Sequence, residues 1–136
     1  MLSKIFTTVL TVAGLSLCAG KVFNAKDFGA KGDGVADDRP ALTKLFAAAA
    51  AAGSGAKVVI PKGVYRMKSL GVTRKAYAGH LVARGLKDAE VEAEPGTVFL
   101  MTKRANGLMI SNCDNTVFKN IAVDYDPLPF TQGKVV

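Results

Sequence analysis

Asp124 and Asp126 stand two residues apart near the end of the 136-residue chain. On a strand that spacing puts both carboxylates on one side, as a general acid and its paired base would need. Asp126 precedes Pro127, and a residue before proline is held extended or in a turn. The sequence therefore predicts a corner here rather than a catalytic pair. Asp33, Asp37 and Asp38 could in principle hold a cation. Calcium, however, takes six or more oxygens from an alternating acidic loop that closes on a bidentate acid. The cluster lacks that pattern and falls where a turn and a helix start need acceptors, so no metal ligand is assigned. Tyr125 and Phe130 are the candidate substrate-binding residues: aromatic faces receive the apolar C–H faces of sugar rings, and the competing role for both is packing. His80 is the sole histidine. With no serine or acid at a telling spacing and no second ligand, it is expected in a loop or in packing. Cys113 is expected to fill the core rather than to act as a nucleophile. Gly29 to Gly34 resembles a phosphate loop only in its glycines. It lacks the Gly-Lys-Ser/Thr ending, and its acids would repel phosphate. No cofactor, no metal and no catalytic residue is assigned to this chain.

The elements that must position these groups begin with a strand predicted over Val22–Phe28, rich in β-branched and aromatic residues. A glycine-dense turn, Gly29–Gly34, follows. Asp37-Asp38-Arg39-Pro40 reads as a helix start, with an aspartate accepting the free amide hydrogens of the first turn and proline tolerated there. The helix should run to about Ala52, with Ala41, Leu42, Leu45 and Phe46 making an apolar stripe, and end at Gly53. Lys57–Pro61 and the stretch through Met67 are predicted strands. Beyond them short apolar pieces recur between Gly, Asn and Asp, and none is periodic enough for another helix. Val98–Leu100 and Ile121–Val123 lie 23 residues apart, an offset that suits a coil stacking strands on those of the turn before. Asn106, Asn112, Asn115 and Asn120 then fall at corners, because asparagine tolerates left-handed geometry. An antiparallel sandwich also has many short strands, but it does not account for one capped helix followed by unbroken strands. The fold class is mainly β: an N-terminal cap helix and the first coils of a right-handed parallel β-helix.

In its order of glycines, acids, helix and strand, Phe23–Asp38 with the Ala-rich helix and Val58–Tyr65 resembles the leading segment of the pectate-lyase-like superfamily. That superfamily includes polygalacturonases, rhamnogalacturonases and phage tailspikes. The resemblance implies a helix that closes the N-terminal end of the coil, as a solenoid requires. It says little about activity, since hydrolases, lyases and adhesion proteins share the fold. The stretch Asn120–Gly133 is similar to part of the bacterial β-helix α-1,3-galactosidases. That likeness implies a parent glycoside hydrolase, acting on galactose- or galacturonate-containing glycans with two carboxylates flanking the scissile bond. Those acids are expected on later coils, beyond Val136, so this chain is read as a truncated and inactive N-terminal piece. A non-catalytic glycan-binding or tailspike-like module and a pectate lyase are the alternatives.

Residues 1–20 read as a secretory signal: Lys4, an apolar run Ile5–Leu17, then Ala19 and Gly20 before the cut. The run is too short to span a bilayer as a helix. Cys18 is a poor lipidation site because bulky Leu17 precedes it. Cleavage would leave Lys21–Val136 as the β-helix domain, secreted or periplasmic, and the loss of Lys4 would lower the net charge from +7 to +6. Cys113 would be its single cysteine, so no internal disulfide could form. Scattered basic residues without an aromatic platform argue against nucleic acid, and the partner expected is a polysaccharide or oligosaccharide. No membrane contact is expected after cleavage, and no oligomeric state is assigned.

Overall fold

A computed structural model describes residues 20–70 and 79–128. The signal assigned to residues 1–20 lies, but for Gly20, outside the described residues, as does Phe130. The first strand, β1 (Val22–Asn24), is shorter than expected. Asn24 turns its side chain back to accept the Lys26 amide at 2.9 Å, which starts a 3₁₀ turn, Ala25–Phe28, in place of further strand. A side chain that bonds the backbone two residues on competes in this way with extended structure. Gly29 closes the turn at φ +89°.

The helix α1 (Arg39–Ala51) forms as expected, with Pro40 in its first turn and Leu42, Leu45, Phe46 and Ala49 buried. Eight strands follow: β2 (Lys57–Ile60), β3 (Val64–Met67), β4 (Gly79–Arg84), β5 (Glu90–Ala93), β6 (Val98–Met101), β7 (Asn106–Ser111), β8 (Val117–Lys119) and β9 (Ala122–Tyr125). They form three sheets among the described residues, ordered β1-β2-β5-β8, β3-β6-β9 and β4-β7. Every strand pair is parallel, which rules out an antiparallel sandwich. Each circuit of the chain lays one strand on each sheet, and the next circuit stacks upon it: a parallel β-helix. The helix packs most extensively on β4 and also touches β1, β2 and β3. It thus covers the side of β4 that no strand of the described residues pairs with, and closes the first end of the coil.

Stacked inward columns fill the interior. Val58, Val91 and Phe118 make one; Tyr65, Phe99 and Val123 another; Met67, Met101 and Tyr125 a third. The Tyr65 and Phe99 rings lie 5.9 Å apart, in the range where aromatic pairs attract. The register of β6 on β9 pairs Val98 with Ala122, a step of 24 residues rather than the 23 read from the apolar pieces. A slip of one would turn every side chain to the opposite face; the observed step places Val123 beneath Phe99 on the inward side, where it is still 41% exposed.

The corners are made by left-handed residues stacked from coil to coil. Ser54, Lys87 and Asp114 bridge in register, and the residues after them, Gly55, Asp88 and Asn115, have φ of +87°, +46° and +43°. Asn115 donates to Asp88 at 2.8 Å, knitting two coils at that corner. Asn112 and Asn120 are also left-handed, at φ +52° and +57°. Asn106 is not a corner: it opens β7 opposite Gly79.

Candidate functional site

Arg66 lies on β3 between Tyr65 and Met67, both fully buried, so strand alternation turns it to the outer face. Its column there continues through Leu100 and Asp124. The glycine turn is strapped beside this strand: Gly34 donates to the Val64 carbonyl at 2.8 Å, Val64 to Gly32 at 2.9 Å, and Asp38 to Arg66 at 2.9 Å. Arg66 Nε in turn donates to the Gly34 carbonyl at 2.6 Å. Gly34, Val35, Arg66 and Lys68 line an open cleft of about 240 Å³. Val35 forms its apolar lip, 69% exposed.

The three early aspartates hold this wall together. Asp33 accepts the amides of Val35 and Ala36, each at 2.9 Å, and these bonds, first that from Ala36, hold its carboxyl below the usual carboxylate range. Burial pushes the Asp37 carboxyl upward. That effect is outweighed by bonds from the Lys68 amide at 3.0 Å, the Ser69 hydroxyl at 3.0 Å and the Arg39 amide at 3.3 Å, so its pKa is lowered. Asp38, buried, accepts the Lys31 amide at 2.7 Å and the Gly32 amide at 2.9 Å. The capping expectation is corrected in its detail. Asp38 occupies the cap position but makes no side-chain bond into the helix; its carboxylate reaches back to the glycine turn instead, because the amides of Lys31 and Gly32 converge there.

Asp124 and Asp126 do face one side, as their spacing implies, but their carboxylates are separately engaged. Asp124 accepts the Tyr125 amide at 2.8 Å. Asp126 follows β9 at a bend and meets Arg66 Nη2 at 2.9 Å, the position before proline serving as the expected corner. Tyr125 points into the coil, half-buried against the core, and its hydroxyl donates to the Ala105 carbonyl at 2.9 Å. Tyr125 thus takes part in packing, and it is not among the residues that line the cleft. Cys113 is half-buried against the core, its Sγ 3.5 Å from the Ser111 carbonyl. Among the described residues, no three His, Cys, Asp or Glu side chains gather to hold a metal ion.

His80 is fully buried on β4, its Nδ1 3.4 Å from the Asn106 carbonyl. Burial pushes its pKa below the ordinary value of 6.5. A depressed folded value means that the unfolded chain binds the proton more readily. The stability this group contributes is complete above pH 6.5 and falls away as pH drops through the lower, folded value. No other side chain ordinarily titrates in that window. The denaturation midpoint of the wild type should fall between pH 7 and pH 5, and His80→Leu should flatten that slope whatever its effect at pH 7. An equal slope in both proteins would dismiss the role of His80.

Sequence reasoning missed the cationic pair. Arg66 is one of the basic residues that look scattered along the chain, although the alternation Tyr65-Arg66-Met67 turns it outward. Lys57 pairs with Glu90 and Glu92, and Lys119 with Glu90, at 3.2–3.3 Å. Arg66 is paired with Asp126 at 2.9 Å and Lys68 makes no ion pair among the described residues, so the cleft holds one paired and one unpaired cation.

Comparison with known proteins fits this architecture. Residues 22–78 match the family model for rhamnogalacturonase A/epimerase, pectate lyase-like. The A-module of mannuronan C-5 epimerase AlgE6 from Azotobacter vinelandii superposes with a TM-score of 0.59 at 29% identity, over 75% of this chain and 28% of that one. The leading segment is that of the pectate-lyase-like superfamily, and the coil behind it is a β-helix of the same kind as that A-module. Among curated relatives, mannuronan C5-epimerase AlgE1 of the same organism is 58% identical over 50 residues, 37% of this chain and 4% of that protein. Mannuronan C5-epimerase AlgE4 is 51% identical over 49 residues, 36% of this chain and 9% of that protein. The chain thus corresponds to a small part of the length of these relatives.

Proposed function

We propose that this chain is the N-terminal part of a polysaccharide-modifying β-helix enzyme whose substrate is a polyuronate, and whose reaction is of the C5-epimerase type. The observation that carries this reading is the cleft in which Arg66, on the outer face of β3, and Lys68, just past the end of that strand, stand together with Val35 as an apolar lip. A polyuronate has one carboxylate per sugar and apolar ring faces, and the cleft complements both. The names of the relatives support the same substrate class. Export through residues 1–20 belongs to this reading, since such polymers lie outside the cytoplasm.

Inverting C5 of a uronate removes the proton beside the carboxylate and returns one from the opposite face. The step is helped when a cation neutralises the charge that develops on the carboxylate. Arg66 and Lys68 are placed to bind and orient the polymer through its carboxylates. The described residues offer no paired base and acid beside them, so proton transfer is assigned to none of them. Glycoside hydrolysis, the finer expectation from the Asn120–Gly133 likeness, needs two carboxylates across a scissile bond. That expectation places both acids beyond Val136, and the C5-epimerase reading is preferred to it because the relatives are named as epimerases.

Affinity electrophoresis of the chain through polymannuronate, polygalacturonate and neutral galactan tests the substrate class. Retardation by the acidic gels, relieved by added salt, is expected. Equal mobility in all three at low salt would overturn the polyuronate reading. With the full-length parent, proton NMR of treated polymannuronate should show C5 inversion without new reducing ends; new reducing ends without inversion would establish a hydrolase.

A further inference from the structure

We infer that Arg66 reads the carboxylate of a bound uronate, and that Asp126 is its internal stand-in, displaced when the sugar acid arrives. The inference deepens the polyuronate reading and rests on it. Arg66 is aimed before any ligand comes, because its Nε is anchored on the Gly34 carbonyl at 2.6 Å. The guanidinium borders the cleft, and its outer fork, Nη1 and Nη2, is left for a carboxylate. A carboxylate can take two parallel bonds from such a fork, yet Asp126 takes one, Oδ2 to Nη2 at 2.9 Å. The two partners also differ in freedom. The Arg66 side chain is 24% exposed and held at its Nε, whereas the Asp126 side chain is 57% exposed and hangs from the bend after β9. The anion is the movable member.

Exchange of Asp126 for a sugar carboxylate conserves charge pairing at Arg66, so the step is nearly balanced. What resists it is the high effective concentration of a group tethered to the same chain. Apparent affinity for a uronate is therefore lowered by the fraction of time Asp126 is bound. A neutral sugar has no carboxylate to offer and gains nothing from Arg66, so the contact also raises selectivity for acidic over neutral polymers. Lys68, two residues along and just past the end of β3, lines the same cleft and can meet a neighbouring carboxylate of the polymer.

The test is calorimetric titration of the chain with a mannuronate oligomer and with a neutral galactose oligomer of equal length. Asp126→Asn should tighten the acidic oligomer about 2- to 5-fold, the range set by an exposed ion pair, and leave the neutral one unchanged. Arg66→Lys, which keeps charge but not the fork, should weaken the acidic oligomer by about 10-fold or more. In the wild type, the Asp126 amide NMR signal should shift as the acidic oligomer is added. Should the wild type bind neither oligomer, the polyuronate reading falls and this inference with it. Should it bind the acidic oligomer while Asp126→Asn binds it no more tightly, or tightens both oligomers alike, or while the Asp126 signal stays fixed, the stand-in role is overturned and the substrate class stands.

Discussion

Replacing Phe99 with alanine should lower stability by about 3–5 kcal/mol, the range for removing a buried phenylalanine from a packed interior. Phe99 is 2% exposed, its ring lies 5.9 Å from that of Tyr65, and Val123 stacks on its other side. A coil cannot collapse around such a gap easily. The backbones above and below are fixed at the sheet spacing by parallel ladders, so the cavity would persist. Leu100→Ala, one residue on and facing outward, should cost less than about 1 kcal/mol. Urea unfolding of both variants measures the contrast. Equal losses would mean that β6 does not present alternate faces to core and solvent as described.

The second large effect is expected at Asp38. Its buried carboxylate is the acceptor for the amides of Lys31 and Gly32, and Asp38→Ala would strand both. Gly32 is half-buried and Lys31 exposed, so water can replace part of what is lost, and a loss of about 1–3 kcal/mol is expected. Asp38→Asn retains one acceptor oxygen and should fall between wild type and alanine. Because the glycine turn carries the Gly34 carbonyl that aims Arg66, Asp38→Ala should also weaken binding of an acidic oligosaccharide. Amide hydrogen exchange at Lys31 and Gly32 reports the mechanism directly. Unchanged protection there would show that the turn stands without Asp38.

Much of the fold was legible in particular residues. Leu42, Leu45 and Phe46 mark the helix face. The recurring apolar pieces from Leu81 to Val123 mark the coil, and Asn112, Asn115 and Asn120 mark its corners. These signals are local, since each depends on a residue's own conformational preference or on near spacing. What was not legible depends on distant partners. Asn24 ends β1 through a single side-chain bond, which nothing in Val22–Phe28 announces. The step between β6 and β9 is decided by which residue must lie under Phe99, and apolar pieces alone leave it uncertain by one. The cleft is the clearest case. Arg66, Gly34 and Asp126 are separated by 32 and 60 residues from one another along the chain and meet only because the coil returns to the same sheet. The two aspartates near Pro127 were correctly placed on one side. That the partner of Asp126 would be an arginine two coils earlier could be known only from the register.

The spacing between strands is uneven in a way that bears on how such a molecule can change over evolutionary time. Residues 68–78 separate β3 from β4, whereas residues 102–105 separate β6 from β7, and yet both pairs of strands stack in register on their neighbours. The ladders fix only where each strand begins, not how long the excursion between two of them is. The length of chain between two strands could therefore change while the stack stays untouched. Descendants of one such scaffold could gain or lose whole stretches between strands, with the cost in stability confined to the stretch itself.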